Sequence, residues 1–124
     1  MRYALLIHYP QPPAIKLSEA DFEAGKAAFH AYAKALDDAG VLRSAEVLQS
    51  VASATSVSVK HGKVQVQDGP FADTKEAFAG IIMLDVPDLD AALAWAEKCP
   101  AAQWGTVEIR PSAVRFESGT WVNA

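Results

Sequence analysis

The stretch Ala77-Phe78-Ala79-Gly80-Ile81-Ile82-Met83-Leu84-Asp85-Val86 decides the fold. It is a long apolar run without helix caps, so it reads as a buried strand. Ala79, Ile81, Met83 and Asp85 alternate with Phe78, Gly80, Ile82 and Leu84, and both sets are mostly apolar. Such a strand needs cover on both faces. Residues 2–9 repeat the pattern, with Tyr3, Leu5, Ile7 and Tyr9 alternating against Ala4, Leu6 and His8, which predicts a second two-faced strand at the centre of a sheet.

Working outward, Pro10, Pro12 and Pro13 force an extended loop, because proline lacks an amide donor and restricts the residue before it. Ser18 can cap a helix with Asp21 three residues on, and Phe22, Phe29, Ala33 and Leu36 recur on one face until Gly40 ends it. Val41 to Gln49 reads as a strand, and Ala54 to Lys60 as another. His61-Gly62 is a two-residue turn into Lys63 to Gln67. The polar stretch Asp68 to Glu76 precedes the deciding strand. Beyond it, Asp88 caps a second helix with Leu89, Ala92, Leu93 and Ala96 as its stripe, Pro100 stops it, and Gly105 to Arg110 and Ala113 to Phe116 close the chain as strands.

This order predicts an α+β, ferredoxin-like split βαβ with an elaborated middle: an antiparallel sheet carrying both helices on one face. The other face is left uncovered, and it calls for a partner or a ligand cavity. A homodimer packed through that face is the simplest solution.

Composition narrows the functional classes. At 124 residues the chain reads as one domain spanning 1–124, and 51% hydrophobic residues suffice for a core. A net charge of −4 with eleven scattered Lys and Arg argues against nucleic acid or an anionic membrane as partner. The one cysteine, Cys99, has no disulfide mate, and His8, His30 and His61 are too widely spaced for a zinc motif, so a reducing cytoplasm is expected. The run Tyr3-Ala4-Leu5-Leu6-Ile7 is too short for a signal core, and no apolar stretch is long enough to cross a bilayer. No dinucleotide fingerprint, P-loop, Ser-His-Asp order or metal spacing occurs, and no cofactor is expected.

The segment Asp68-Gly69-Pro70-Phe71-Ala72-Asp73-Thr74-Lys75-Glu76 resembles the DGPF signature of the YCII-related family. The likeness extends through Gly80-Ile81-Ile82, Asp88-Leu89-Asp90-Ala91-Ala92, Pro100-Ala101 and Gly105 to Pro111, and includes Met1 to Ile7. It implies a ferredoxin-like fold that dimerises into a dimeric α+β barrel. The wider superfamily includes enzymes acting on small, often hydroxylated aromatic compounds, and the resemblance also implies a link to extracytoplasmic-function sigma factors, beside or fused to which DGPF proteins are often encoded. Shorter YCII-type proteins are proposed to use a His–Asp pair. Their histidine position falls on Phe29 here, with His30 one residue later, and that offset turns a side chain about 100° around a helix.

Several residues can carry a site, each with a structural alternative. Asp68 reads either as an Asx-turn acceptor or, with Phe71, Asp73, Thr74, Lys75 and Glu76, as part of a loop at a cavity mouth. Thr106, Glu108 and Arg110 share one strand face; Arg110 either pairs internally with Glu108 or binds a ligand anion through its planar fork. His8 and His30 are either packed residues or general bases, since imidazole titrates near neutral pH. Trp95, Trp104 and Trp121 read as packing residues. The resulting expectation is a cofactor-independent, lyase- or isomerase-like enzyme on a small polar, aromatic or enolisable substrate, with His8, His30 and Asp68 as catalytic candidates and Phe71, Thr74, Lys75, Glu76, Glu108 and Arg110 as binding candidates. The alternative is a non-catalytic ligand-binding or sigma-factor-associated module. The catalytic reading predicts convergence, one pocket holding Asp68 or Arg110 together with His8 or His30, and it fails if both histidines lie away from any pocket.

Overall fold

The computed structural model describes residues 1–124. Strand β1 (Arg2–Tyr9) leads into helix α1 (Glu19–Asp38), then β2 (Leu42–Val47), a turn of 3-10 helix at Val51–Ser53, and the hairpin β3 (Thr55–Lys60) and β4 (Lys63–Asp68). β5 (Ala77–Asp85), α2 (Leu89–Glu97), a 3-10 turn at Pro100–Gln103, β6 (Thr106–Pro111), β7 (Val114–Glu117) and β8 (Thr120–Asn123) complete the chain. The main sheet has the order β2-β5-β1-β6 with every neighbour antiparallel, which is the split βαβ expected, and β1 and β5 are central.

Local chemistry accounts for the helices. Ser18 Oγ accepts the Asp21 amide at 3.1 Å while Asp21 Oδ2 accepts the Ser18 amide at 2.9 Å, a reciprocal capping box that starts α1. Asp88 Oδ1 accepts the Ala91 amide at 2.9 Å at the start of α2. The buried stripe of α1 is carried by Tyr32 and Leu36, with Phe29 and Ala33 partly buried, whereas Phe22, expected on the stripe, is exposed. Tyr32, absent from the stripe read in the sequence, ends in a hydroxyl. That hydroxyl donates to the Trp95 carbonyl at 2.7 Å and ties α1 to α2, so the ring is buried at no cost in unmade hydrogen bonds.

One cluster forms the core: Tyr3, Leu5, Ile7, Ile82, Leu84 and Val86 from the sheet meet Tyr32, Leu36, Ala92, Ala96, Cys99 and Ala101 from the helical layer. The same strands turn Ala4, Leu6, Ile81 and Met83 to the helix-free face, where they are only half-buried. Nothing within the subunit fully covers that face.

Two departures from the sequence reading matter for the site. A bulge at Ala79 breaks the alternation of β5: Ile7 pairs with Gly80, yet His8 pairs with Phe78. Ala79 and Gly80 are consequently both buried, and Phe78 moves to the face of Ile81 and Met83 instead of that of Ile82 and Leu84. The C-terminal tail also forms an additional strand, β8, paired with β7 across a turn in which Ser118 and Gly119 both have positive φ. Trp121 there stacks edge-on with Phe116, centroids 5.3 Å apart.

Candidate functional site

The site is built where β1 ends. His8 lies on the helix-free face, flanked by Phe78 of β5 and Thr106 of β6. Its backbone is held tightly on the β6 side: a Cβ added at Gly105 would overlap the His8 carbonyl oxygen and lie 2.8 Å from Tyr9 Cα, so only glycine allows this approach. Its ring rests on Phe78 with centroids 5.4 Å apart. Its Nε2 is buried, makes no hydrogen bond, and lies 3.5 Å from Glu108 Oε1.

Beyond His8 opens a cavity of about 700 Å³. Its floor is His8, Ala77 and Phe78. One wall is the segment between β2 and β3, including Leu48, Ser50, Val51, Ser53 and Ala54, and the other is the signature loop with Pro70, Phe71, Asp73, Thr74 and Glu76. Each wall is fastened by named bonds. The Val51 amide donates to Gln11 Oε1 at 3.2 Å, which anchors the first wall to the proline loop. Thr106 Oγ1 donates to Glu76 Oε1 at 2.8 Å, and Thr74 Oγ1 to the Glu76 carbonyl at 2.7 Å, which fix the second to β6. The ring of Phe71 is 94% exposed and stands at the rim.

The candidates named from sequence thus divide. His8, Phe71, Thr74 and Glu76 line the cavity, and Glu108, which does not, lies with Oε1 3.5 Å from His8 Nε2. His30 is exposed on α1, and Asp68, Lys75 and Arg110 do not line the cavity. The expected convergence is not met: His8 lines the cavity, but neither Asp68 nor Arg110 joins it there. The Asp68 side chain accepts no hydrogen bond, so the Asx-turn is not formed. The turn is held instead by Gly69, whose amide donates to the Ala54 carbonyl at 2.8 Å and whose carbonyl accepts from Ser56 Oγ at 2.8 Å. Arg110 does share its face with Thr106 and Glu108, but it makes no ion pair, because Glu108 turns toward His8. The sequence reading gave residues 48–54 no part in the site, taking 48–49 as the end of one strand, Ala54 as the start of the next, and leaving 50–53 unassigned. The only signal there was a break in apolar periodicity around Ser50 and Ser53.

No three of the His, Cys, Asp and Glu side chains cluster as metal ligands would. No helix is long and apolar enough to cross a membrane. Burial pushes the Cys99 thiol up, and Cys99 lies in the core on the opposite side of the sheet from the cavity.

An antiparallel ferredoxin-like sheet backed by two helices, with a cavity between its open face and a DGPF loop, defines the class. The profile of the YCII-related domain matches residues 1–114, and the chain belongs to the YCII-related family. It is also 30% identical over 116 residues to an uncharacterised protein of Rhizobium meliloti (strain 1021), covering 92% of this chain and 94% of the relative.

Proposed function

We propose that the chain is a cofactor-independent enzyme that moves a proton on a small polar or aromatic, enolisable molecule held in the cavity at the end of β1. The observation that carries this reading is the pairing of His8 with Glu108 at 3.5 Å beside a cavity of about 700 Å³. A carboxylate beside an imidazole stabilises the imidazolium formed when the ring accepts a proton. Glu76, anchored through Thr106, supplies an oxygen for orienting the ligand, and Phe71 and Phe78 supply apolar surface against its body. The loop residues Lys75 and Asp68, with Arg110 and His30, stand outside this reading of the site.

The same reading includes a homodimer through the helix-free face, supported by the half-buried Ala4, Leu6, Ile81 and Met83, and a cytoplasmic setting, supported by the single, buried Cys99. The test is isotope exchange: incubation in deuterium oxide with a panel of enolisable aromatic carbonyl compounds, followed by NMR loss of the acidic C–H signal. His8-dependent exchange is expected, with a loss of about 100-fold or more in H8Q. Exchange absent across the panel, or unchanged in H8Q, overturns it.

A second reading, a ligand-binding or sigma-factor-associated interaction module without chemistry, is favoured by one observation. The β3–β4 ribbon pairs Val57 with Val66 and Val59 with Val64, and all four are exposed, an apolar patch away from the cavity. Retained stability in V59K/V64K with loss of a copurifying or genetically linked partner supports that reading.

A further inference from the structure

We infer that the ligand of the His8 cavity is cationic: a small molecule bearing a protonated amine on an aromatic or apolar body. The inference rests on the cavity being the ligand site and adds the charge class of what it takes.

The lining decides the charge. The cavity has no Lys or Arg among its lining residues; its ionisable members are His8, Asp73 and Glu76. Glu76 uses Oε1 to accept from Thr106, which leaves its second oxygen without a partner, and the Asp73 carboxylate makes no hydrogen bond or ion pair at all. A third carboxylate, Glu108, places Oε1 3.5 Å from His8 Nε2. Neither Lys75 nor Arg110 is among the lining residues. Lys75 lies between two lining residues in sequence yet does not line the cavity. Arg110 pairs with Ala4 whereas Thr106 pairs with His8, so Arg110 stands four residues, roughly 13 Å, along β6 from the cavity end.

A carboxylate ligand entering this space meets two like charges and no Lys or Arg, with His8 the one side chain able to become cationic, whereas an ammonium meets two acceptors with unused lone pairs. The apolar surface points the same way. Phe71 is 94% and Phe78 43% exposed, and aromatic faces attract a cation through the ring quadrupole while also stacking on an aromatic body. Ser50 and Ser53 on the opposite wall add hydroxyl acceptors.

The experiment compares three isosteric probes, phenethylamine, phenylacetate and 2-phenylethanol, by NMR titration of the full chain, with D73N/E76Q as the variant. The expected result is binding of the amine at least tenfold tighter than the carboxylate, with the alcohol between them, shifts at His8 and Phe78, and loss of the amine's advantage over the alcohol in the variant. The variant's amide spectrum shows whether it is folded, and with the native chain the amine-to-carboxylate ratio stands alone as a readout. Carboxylate binding equal to or tighter than the amine, or an amine preference untouched in a folded D73N/E76Q, overturns the inference while the cavity remains a ligand site. If none of the three shifts a cavity residue, both the inference and the cavity reading fall.

Discussion

The two faces of the central sheet are made by alternate residues of the same two strands, yet they have different fates. Leu5, Leu84 and Ile82 on the helix side are 0%, 0% and 4% exposed, while Leu6, Ile81 and Met83 one residue away stay half-buried and share their face with His8, Glu108 and Arg110. The helix face is a core in which packing is complete and no charge enters. The open face keeps a few apolar residues beside ionisable ones, and that mixture allows a site. Stability is concentrated on one side, and the candidate chemistry on the other.

Substitutions at adjacent positions separate the two. Leu84→Ala removes a fully buried side chain and is expected to cost about 3 kcal/mol, whereas Met83→Ala is expected to cost less than half as much in urea unfolding. Equal losses would break the distinction. Gly105→Ala forces a Cβ to 2.8 Å from Tyr9 Cα and into the His8 backbone, so it is expected to cost about 1–3 kcal/mol and to alter ligand binding as well, linking the two faces through one backbone contact.

Smaller effects sharpen the picture of the helical side. Ser18→Ala removes the α1 cap and should cost about 1 kcal/mol by thermal denaturation. Its partner, Asp21, has its carboxyl held below the ordinary aspartate range, chiefly by the hydrogen bond from the Ser18 amide. Because the folded value is the lower one, the stabilisation is complete above the unfolded value and fades as pH falls through the folded one. The difference in melting temperature between wild type and Asp21→Asn should therefore shrink on acidification; a difference that grows would contradict the box. Cys99, 1% exposed with its thiol pushed up by burial, should resist a thiol reagent at pH 8 until the chain is unfolded. Rapid labelling of the native chain would mean that the helical layer opens.

The fold was legible because periodicity, caps and turns agreed. Ser18, Gly40, Asp88 and Pro100 bounded the helices, and the double-faced strands announced a sheet with one face to spare. The site was legible only in part. His8 and Glu108 were separately named, but their pairing depends on strands distant in sequence coming into register at Leu6 and Glu108, which no local pattern encodes. The bulge at Ala79 was hidden because an extra small residue in an apolar run leaves alternation looking intact. Asp68 was named from the signature turn and Arg110 from its strand face, but neither lines the cavity, and Arg110 sits four residues along β6 from Thr106 at the cavity end.

The coupling of His8 to Glu108 is the centre of the functional account, and a kinetic double-mutant cycle on the isotope-exchange rate tests it most directly. The account predicts that E108Q slows exchange in the native background but changes the rate by less than about twofold once H8Q is present. Equal slowing by E108Q in both backgrounds would show that the carboxylate does not act through the histidine.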